Sequence, residues 1–360
     1  MVWKSSEVCE KNMIRAFFVS KKYIWFAYGG ALLLLMLLFA QVEMSVMINE
    51  WYGGFYDHLQ QAESYVKENK SEEGISIFWI NLLKFFKIAV PYVLIASFTN
   101  YVTRRYSLWW REAITFNYLP RWRKVTNEIE GASQRIQQDT ERFSRIVESL
   151  GLQVVRAIMT LIAFLPILWG FSTLINVPFI TGQSLEIINI IGNQTVINFI
   201  PGSLVWTSLL ASLGGLAISW FVGSKLPGLE YNNQVVEAAF RKELVYGEDD
   251  KVNYCTIKTL IELFIGIKFN YKRLFLHYGY FDLWVVLFDQ CMMIVPYVIA
   301  GPGLFMGLLS LGKMVQISNA FQKVHGGFSL FIHNWTTITE LRSIWRRLKE
   351  FQDNLELQGH

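Results

Sequence analysis

Six glutamates fall into two sets at helical spacing: Glu130, Glu141 and Glu148 are 11 and 7 residues apart, and Glu230, Glu237 and Glu248 are 7 and 11 apart. At 3.6 residues per turn each step returns to the same azimuth within about 20°. Each set therefore forms a stripe if its helix is continuous, and Gly131 and Gly247 are where continuity is weakest. Two readings of the stripes are open. One is a solvated helix face balanced by Arg135, Arg142, Arg145, Arg241 and Lys242. The other is a set of partly desolvated carboxylates lining a cavity at a membrane surface, because Glu148 directly precedes an apolar run that starts at Leu150 and Glu230 closely follows another. Desolvation moves a carboxyl pKa towards neutrality, and such an acid can load and release a proton as a protein changes conformation.

The remaining chemistry-bearing residues give less. Lys84, Lys87 and Arg156 fall within or beside apolar runs, where snorkelling or pairing is expected, and Asp282 and Asp289, seven apart on one face, are candidate partners for them. His277, His325 and His333 show no metal-ligand spacing, so no metal site is expected. Cys9, Cys255 and Cys291 read as free thiols. The string Gly307-Leu-Leu-Ser-Leu-Gly312-Lys313 satisfies part of a phosphate-loop pattern, but Met314 replaces the required hydroxyl residue and no strand precedes it. Gly303 and Gly307 fit a small-xxx-small helix contact instead. No nucleophile and base constellation is present, so an enzyme is not expected.

The elements that must position these residues are membrane spans. Of 360 residues 52% are hydrophobic and 17% charged, and mean hydropathy is +0.29, which excludes an ordinary soluble domain. Runs long enough for a bilayer core of about 30 Å lie at 23–48, 77–102, 150–173, 203–222, 274–300 and 304–320. Lys and Arg alternate between the intervals: five precede the first span, nine lie in 103–148 and eight in 223–273, against two in 50–74 and none in 174–202 or in the turn Gly301-Pro302-Gly303. By the positive-inside rule both termini are cytoplasmic. The expected plan is an all-α membrane protein of about six long helices with cytoplasmic helical extensions, punctuated by Pro120 and Pro227. It comprises a short cytoplasmic segment 1–22, a transmembrane domain 23–340 and a cytoplasmic tail 341–360.

Longer strings carry a family resemblance. Trp51-Tyr-Gly-Gly-Phe-Tyr-Asp-His-Leu-Gln60, Ile129-Glu-Gly-Ala-Ser-Gln-Arg-Ile-Gln-Gln-Asp-Thr140, Ala157-Ile-Met-Thr-Leu-Ile-Ala-Phe-Leu-Pro166, Lys225-Leu-Pro-Gly-Leu-Glu230, Val236-Glu-Ala-Ala-Phe-Arg-Lys-Glu-Leu-Val-Tyr-Gly-Glu-Asp-Asp250 and Asn334-Trp-Thr-Thr-Ile-Thr-Glu-Leu-Arg-Ser-Ile344 together resemble the SbmA/BacA peptide-antibiotic transporters of bacterial inner membranes. The resemblance covers roughly residues 45 to 352. It implies a homodimer whose fold resembles the membrane half of an ABC exporter without an ATPase domain. Peptides, including microcins and proline-rich antimicrobial peptides, would enter on the proton gradient, with no cofactor and no nucleic-acid partner. The family's functional residues map onto Glu148, Glu237, Tyr246 and Glu248, with Tyr246 tuning Glu248; Glu230 and Glu141 join them from the stripes. Trp51, Tyr52 and Tyr56 are substrate-path candidates at the outer mouth, though an interfacial belt also accounts for them. Two departures stand out. Family members commonly read Gln-Glu-Asp-Thr where this chain has Gln137-Gln138-Asp139-Thr140, so Gln138 cannot titrate and Glu141 is its candidate substitute. About twenty residues precede the first span, fewer than in longer members. The rival readings are an ABC-type membrane subunit that recruits a separate ATPase and a non-transporting envelope scaffold.

Overall fold

The computed structural model describes residues 13–125, 131–174, 202–250 and 253–357. Glu130, Cys9, Lys4, Lys11 and nearly all of the interval 174–202 lie outside them. The described chain is helical, with no strand among the described residues: α1 Met13–Phe18, α2 Ile24–Gln60, α3 Ala62–Lys67, α4 Ser71–Trp122, α5 Ala132–Gln134, a π-helical turn Arg135–Asp139, α6 Thr140–Leu174, α7 Ser203–Gly223, α8 Leu226–Asp249, α9 Ile257–Phe305, α10 Leu311–Phe328, α11 Leu330–His333 and α12 Trp335–Leu357.

Among the described residues five helical stretches are long and apolar enough to cross a bilayer: Ile24–Lys67, Ser71–Trp122, Ala132–Ser172, Ser203–Glu248 and Ile257–Phe305. They run well past the expected spans, because the polar intervals continue the same helices outward. Pro120 falls in the last turn of α4, and Pro227 in the first turn of α8, where its missing N–H costs nothing. Large apolar side chains such as Leu83, Leu94, Ile162, Leu210 and Leu283 point outward. Small and polar ones point inward: α7 buries Ser208, Ser212, Gly215 and Ser219. Trp284 Nε1 donates to Ser219 Oγ at 2.8 Å, and the Phe288 ring lies against Gly215. Without a hydrophobic drive between helices in lipid, small residues permit close approach and hydroxyls serve as glue.

The sixth element differs from expectation. The turn falls not at Gly301-Pro302-Gly303 but at Met306–Ser310, and α10 occupies Leu311–Phe328 rather than 304–320. Gly307 supplies a positive φ of 74° that a side chain would resist, and Ser310 Oγ caps α10 by accepting from the Lys313 N–H at 3.2 Å. Gly303 and Gly307 thus belong to a helix end and a turn, not to a shared helix face. α10 is polar for a central helix and packs against α2, α6, α7 and α9. Its first amides are taken by α2: Asp57 Oδ1 accepts from Gly312 N and Gln60 Oε1 from Leu311 N, each at 2.8 Å. The amides that a phosphate loop would offer are therefore occupied.

The segments expected as cytoplasmic appendages pack into the core. Phe17 of α1 is fully buried beside Tyr106 and Trp110, and α12 buries Ile344, Leu348, Phe351 and Leu355 against the same cluster. Tyr23, ahead of α2, donates to Glu112 Oε1 at 2.9 Å, and burial pushes its phenol up to about 12.

Candidate functional site

Glu148 lies on α6 about 39 Å, at 1.5 Å per residue, from that helix's far end at Leu174. It is 7% exposed, and its Oε1 is buried with no hydrogen bond from the described residues. Thr103 of α4 faces it, and the Thr103 hydroxyl is likewise buried without a well-formed partner. Tyr106, one turn on, lies against Glu148 electrostatically while its hydroxyl donates to the Ala27 carbonyl of α2 at 3.1 Å. The carboxyl thus occupies a junction of α2, α4 and α6 whose walls are apolar and whose polar groups are not used up by one another.

Glu141, one stripe position earlier, is half-buried and lies 3.6 Å from Arg145 Nη1. The stripe breaks before it. Gly131 has a φ of 71°, and the π-turn adds a residue to the helical repeat between it and α6, so the regular repeat is interrupted ahead of Glu141; Glu130 itself lies outside the described residues. Gln138 accepts from Gln134 Nε2 at 3.2 Å near the surface. The next residue, Asp139, carries the local chemistry that spacing did not reveal. It is 1% exposed and accepts from Arg135 at 2.8 Å and from Arg347 of α12 at 3.0 and 3.1 Å. A bidentate Arg at this short range ties the C-terminal helix to the entry of α6. Arg135 at i−4 was the only local sign of it.

The second stripe is continuous along α8 but faces elsewhere. Glu230 is half-buried near Tyr278 of α9. Glu237 enters a groove of about 730 Å³ against α9 with Lys268, Tyr271 and Lys272, and Glu248 is exposed. Tyr246 is not placed to tune Glu248, since residues two apart on a helix point to opposite sides. Its ring centroid lies 5.1 Å from that of Tyr254 and 5.6 Å from Lys242 Nζ. The structure does not bring Glu237 and Glu248 to Glu148 within the chain.

Intramembrane polar groups find partners other than those expected. Arg156 donates to Gln41 Oε1 at 3.2 Å, Gln41 donates to Thr99 Oγ1 at 2.6 Å, and Thr99 donates to the Ile95 carbonyl at 2.7 Å. Asp289 meets His325 and His333 rather than a Lys or Arg, and Asp282 lies near Tyr278. Lys84 and Lys87 form no ion pair among the described residues. Trp51 is held in the α2–α4 packing, its indole N–H donating to the Asn81 carbonyl at 2.8 Å and its ring stacked on Phe55 at 4.6 Å. Tyr52 and Tyr56 are half-buried, with ring centroids 6.2 Å apart.

Comparison with known proteins fits this architecture. The SbmA/BacA-like family model matches residues 20–356. The chain is similar to the Escherichia coli (strain K12) inner membrane ABC transporter ATP-binding protein YddA, at 24% identity over 90% of this chain and 57% of that protein. It is similar at 25% identity to the ABC transporter D family member 2, chloroplastic, of Arabidopsis thaliana, over 89% of this chain and 42% of that one. An uncharacterized ABC transporter ATP-binding protein of Synechocystis matches at 24% over 78% and 40%. The chain spans about half the length of these curated relatives.

Proposed function

The chain belongs to the SbmA/BacA-like family of multi-pass membrane transporters, and from that premise we propose that it imports peptides, peptide antibiotics among them, across the bacterial inner membrane on the proton gradient. It works as a homodimer with both termini in the cytoplasm, and peptide passes between protomers from an outward-open cavity past Tyr52 and Tyr56. Glu148 is the principal proton carrier, with Glu237 and Glu248 secondary to it, Glu230 and Glu141 in supporting roles, and Tyr246 acting through its own neighbours. One observation carries this ranking: Glu148 is buried with an unpartnered oxygen where three helices meet, whereas Glu237 is half-buried and Glu248 exposed.

The physics follows from burial. An unpaired carboxylate in an apolar junction costs several kcal/mol, so this packing of α2, α4 and α6 suits the neutral acid. Loss of the proton drives the junction open to water, and reloading recloses it. Each charge moved across the full field is worth about 2.3 kcal/mol per 100 mV, so a few protons supply the conformational work.

A second reading is favoured by the relatives' names: an ABC-type membrane unit worked by an ATPase. Vesicles bearing the full chain, an imposed pH gradient and no ATP separate the two. Under the first reading the parent accumulates a labelled proline-rich peptide and Glu148→Gln accumulates about tenfold less or worse, with smaller losses for Glu237→Gln and Glu248→Gln. Uptake that ignores the gradient and requires ATP and an ATPase establishes the second.

A further inference from the structure

The junction of α7, α9, α10 and α11 holds titratable side chains that the Glu148 mechanism does not use. His333 Nδ1 lies 3.1 Å from the Ser329 carbonyl, and its Nε2 lies 3.1 Å from Asp289 Oδ2. A backbone carbonyl only accepts, so Nδ1 must carry a hydrogen. In the neutral ring Nε2 is then a bare lone pair, and it would face a carboxylate oxygen, another acceptor, at hydrogen-bond distance. Two acceptors do not approach to 3.1 Å without a proton between them. The contact is therefore complete only with one additional proton shared by Asp289 and His333.

His325 stands on the other side of the same carboxyl. Its Nε2 is 4.0 Å from Asp289 Oδ1, its Nδ1 is 3.1 Å from Ser212 Oγ, and Ser329 Oγ lies 3.4 Å from both ring nitrogens. Its side chain is 5% exposed, whereas those of Asp289 and His333 are 42% and 41% exposed, so the buried ring lies behind the more open pair. The charges that act on His325 are Asp289 and His333; α7 faces the trio with Ser212, Lys323 of α10 lies against Arg156 of α6, and Glu340 of α12 lies 3.7 Å from Arg142.

We propose that Asp289 and His333, backed by His325, form a second proton-binding site whose proton joins α9 to the α10–α11 corner. Its use in transport rests on the proton-driven reading above; the bound proton does not. Without that proton the two acceptors stand against each other and α9 is loosened from α11.

The test separates the two. Thermal unfolding of the purified full chain in detergent is followed from about pH 5 to about pH 9. The parent loses melting temperature as pH rises through that range, and this component is absent from His333→Gln and from Asp289→Asn. Parallel pH profiles for parent and both variants overturn the proposal. In gradient-driven uptake, His333→Gln shifts the pH of half-maximal uptake by about one unit, whereas Glu148→Gln stays about tenfold or more below the parent at every pH. A parent whose uptake ignores the gradient defeats the transport reading while the melting profile still decides whether the proton site exists.

Discussion

Two buried acids at the same end of the bundle show how the same residue chemistry serves opposite ends. Asp139 is enclosed by two guanidinium groups, and removing its charge strands both of them. Breaking a buried pair of this kind costs about 3–5 kcal/mol, reduced here to about 2–3 because the arginines are a quarter exposed. Asp139→Asn should therefore lower the melting temperature in detergent, and a double-mutant cycle with Arg347→Gln should give a coupling of about 1–3 kcal/mol. Glu148 has no such enclosure, and Glu148→Gln replaces an unmatched acid by a neutral isostere. That variant should melt at or above the parental temperature, and parent-like melting with lost uptake marks an acid kept for transport rather than for the fold. If Glu148→Gln instead melts lower than Asp139→Asn, the assignment of roles is inverted.

At the scale of elements, local punctuation was legible and tertiary company was not. The start of α7 at Ser203 and the prolines that close α4 and open α8 follow from the sequence, because apolar runs and proline chemistry are local. The α9–α10 turn was misplaced because Gly301-Pro302-Gly303 reads as a breaker, while Gly307 and the Ser310 cap hold the real turn a few residues on. Glu148 stands out in the sequence because it abuts an apolar run. Asp289, His325, His333 and Ser212 could not be assembled from spacing, since four helices bring them together. Gly247 illustrates the same limit. In an exposed helix Gly→Ala stabilises by about 0.8–1 kcal/mol. Here a methyl group would meet the Cys255 sulfur, in a turn whose N–H and thiol bond back to Glu243 at 3.0 Å. Overpacking of about 1–3 kcal/mol wins, so Gly247→Ala should destabilise the α8–α9 hairpin. Faster amide exchange there, reversed by adding Cys255→Gly, is the expected observation; unchanged exchange in the single variant would falsify this packing argument.

For the molecule as a whole, the alternation of basic intervals and the geometry of the bundle make one statement together. The nine bases of 103–148 and those of the eight in 223–273 that fall among the described residues lie on or beside the extensions of α4, α6, α8 and α9, at the end that holds Glu148 and Asp139. The α2–α3–α4 turn, with two bases in 50–74, lies at the other. If the basic end is cytoplasmic, the proton on Glu148 is discharged to the cytoplasm and the Asp289–His333 pair lies further towards the side from which protons enter. Orientation therefore fixes the direction of coupling as well as the topology. A cysteine-free background carrying Lys258→Cys or Glu68→Cys, both at exposed positions in the intervals that flank the spans, reads it directly. A membrane-impermeant thiol reagent should label Glu68→Cys in right-side-out vesicles and Lys258→Cys in inside-out vesicles, with at least about tenfold contrast each way. The opposite pattern would put Glu148 at the external face, where the inward proton gradient would keep it loaded and leave it no side on which to discharge, and proton-driven import through this carboxylate would fail with it.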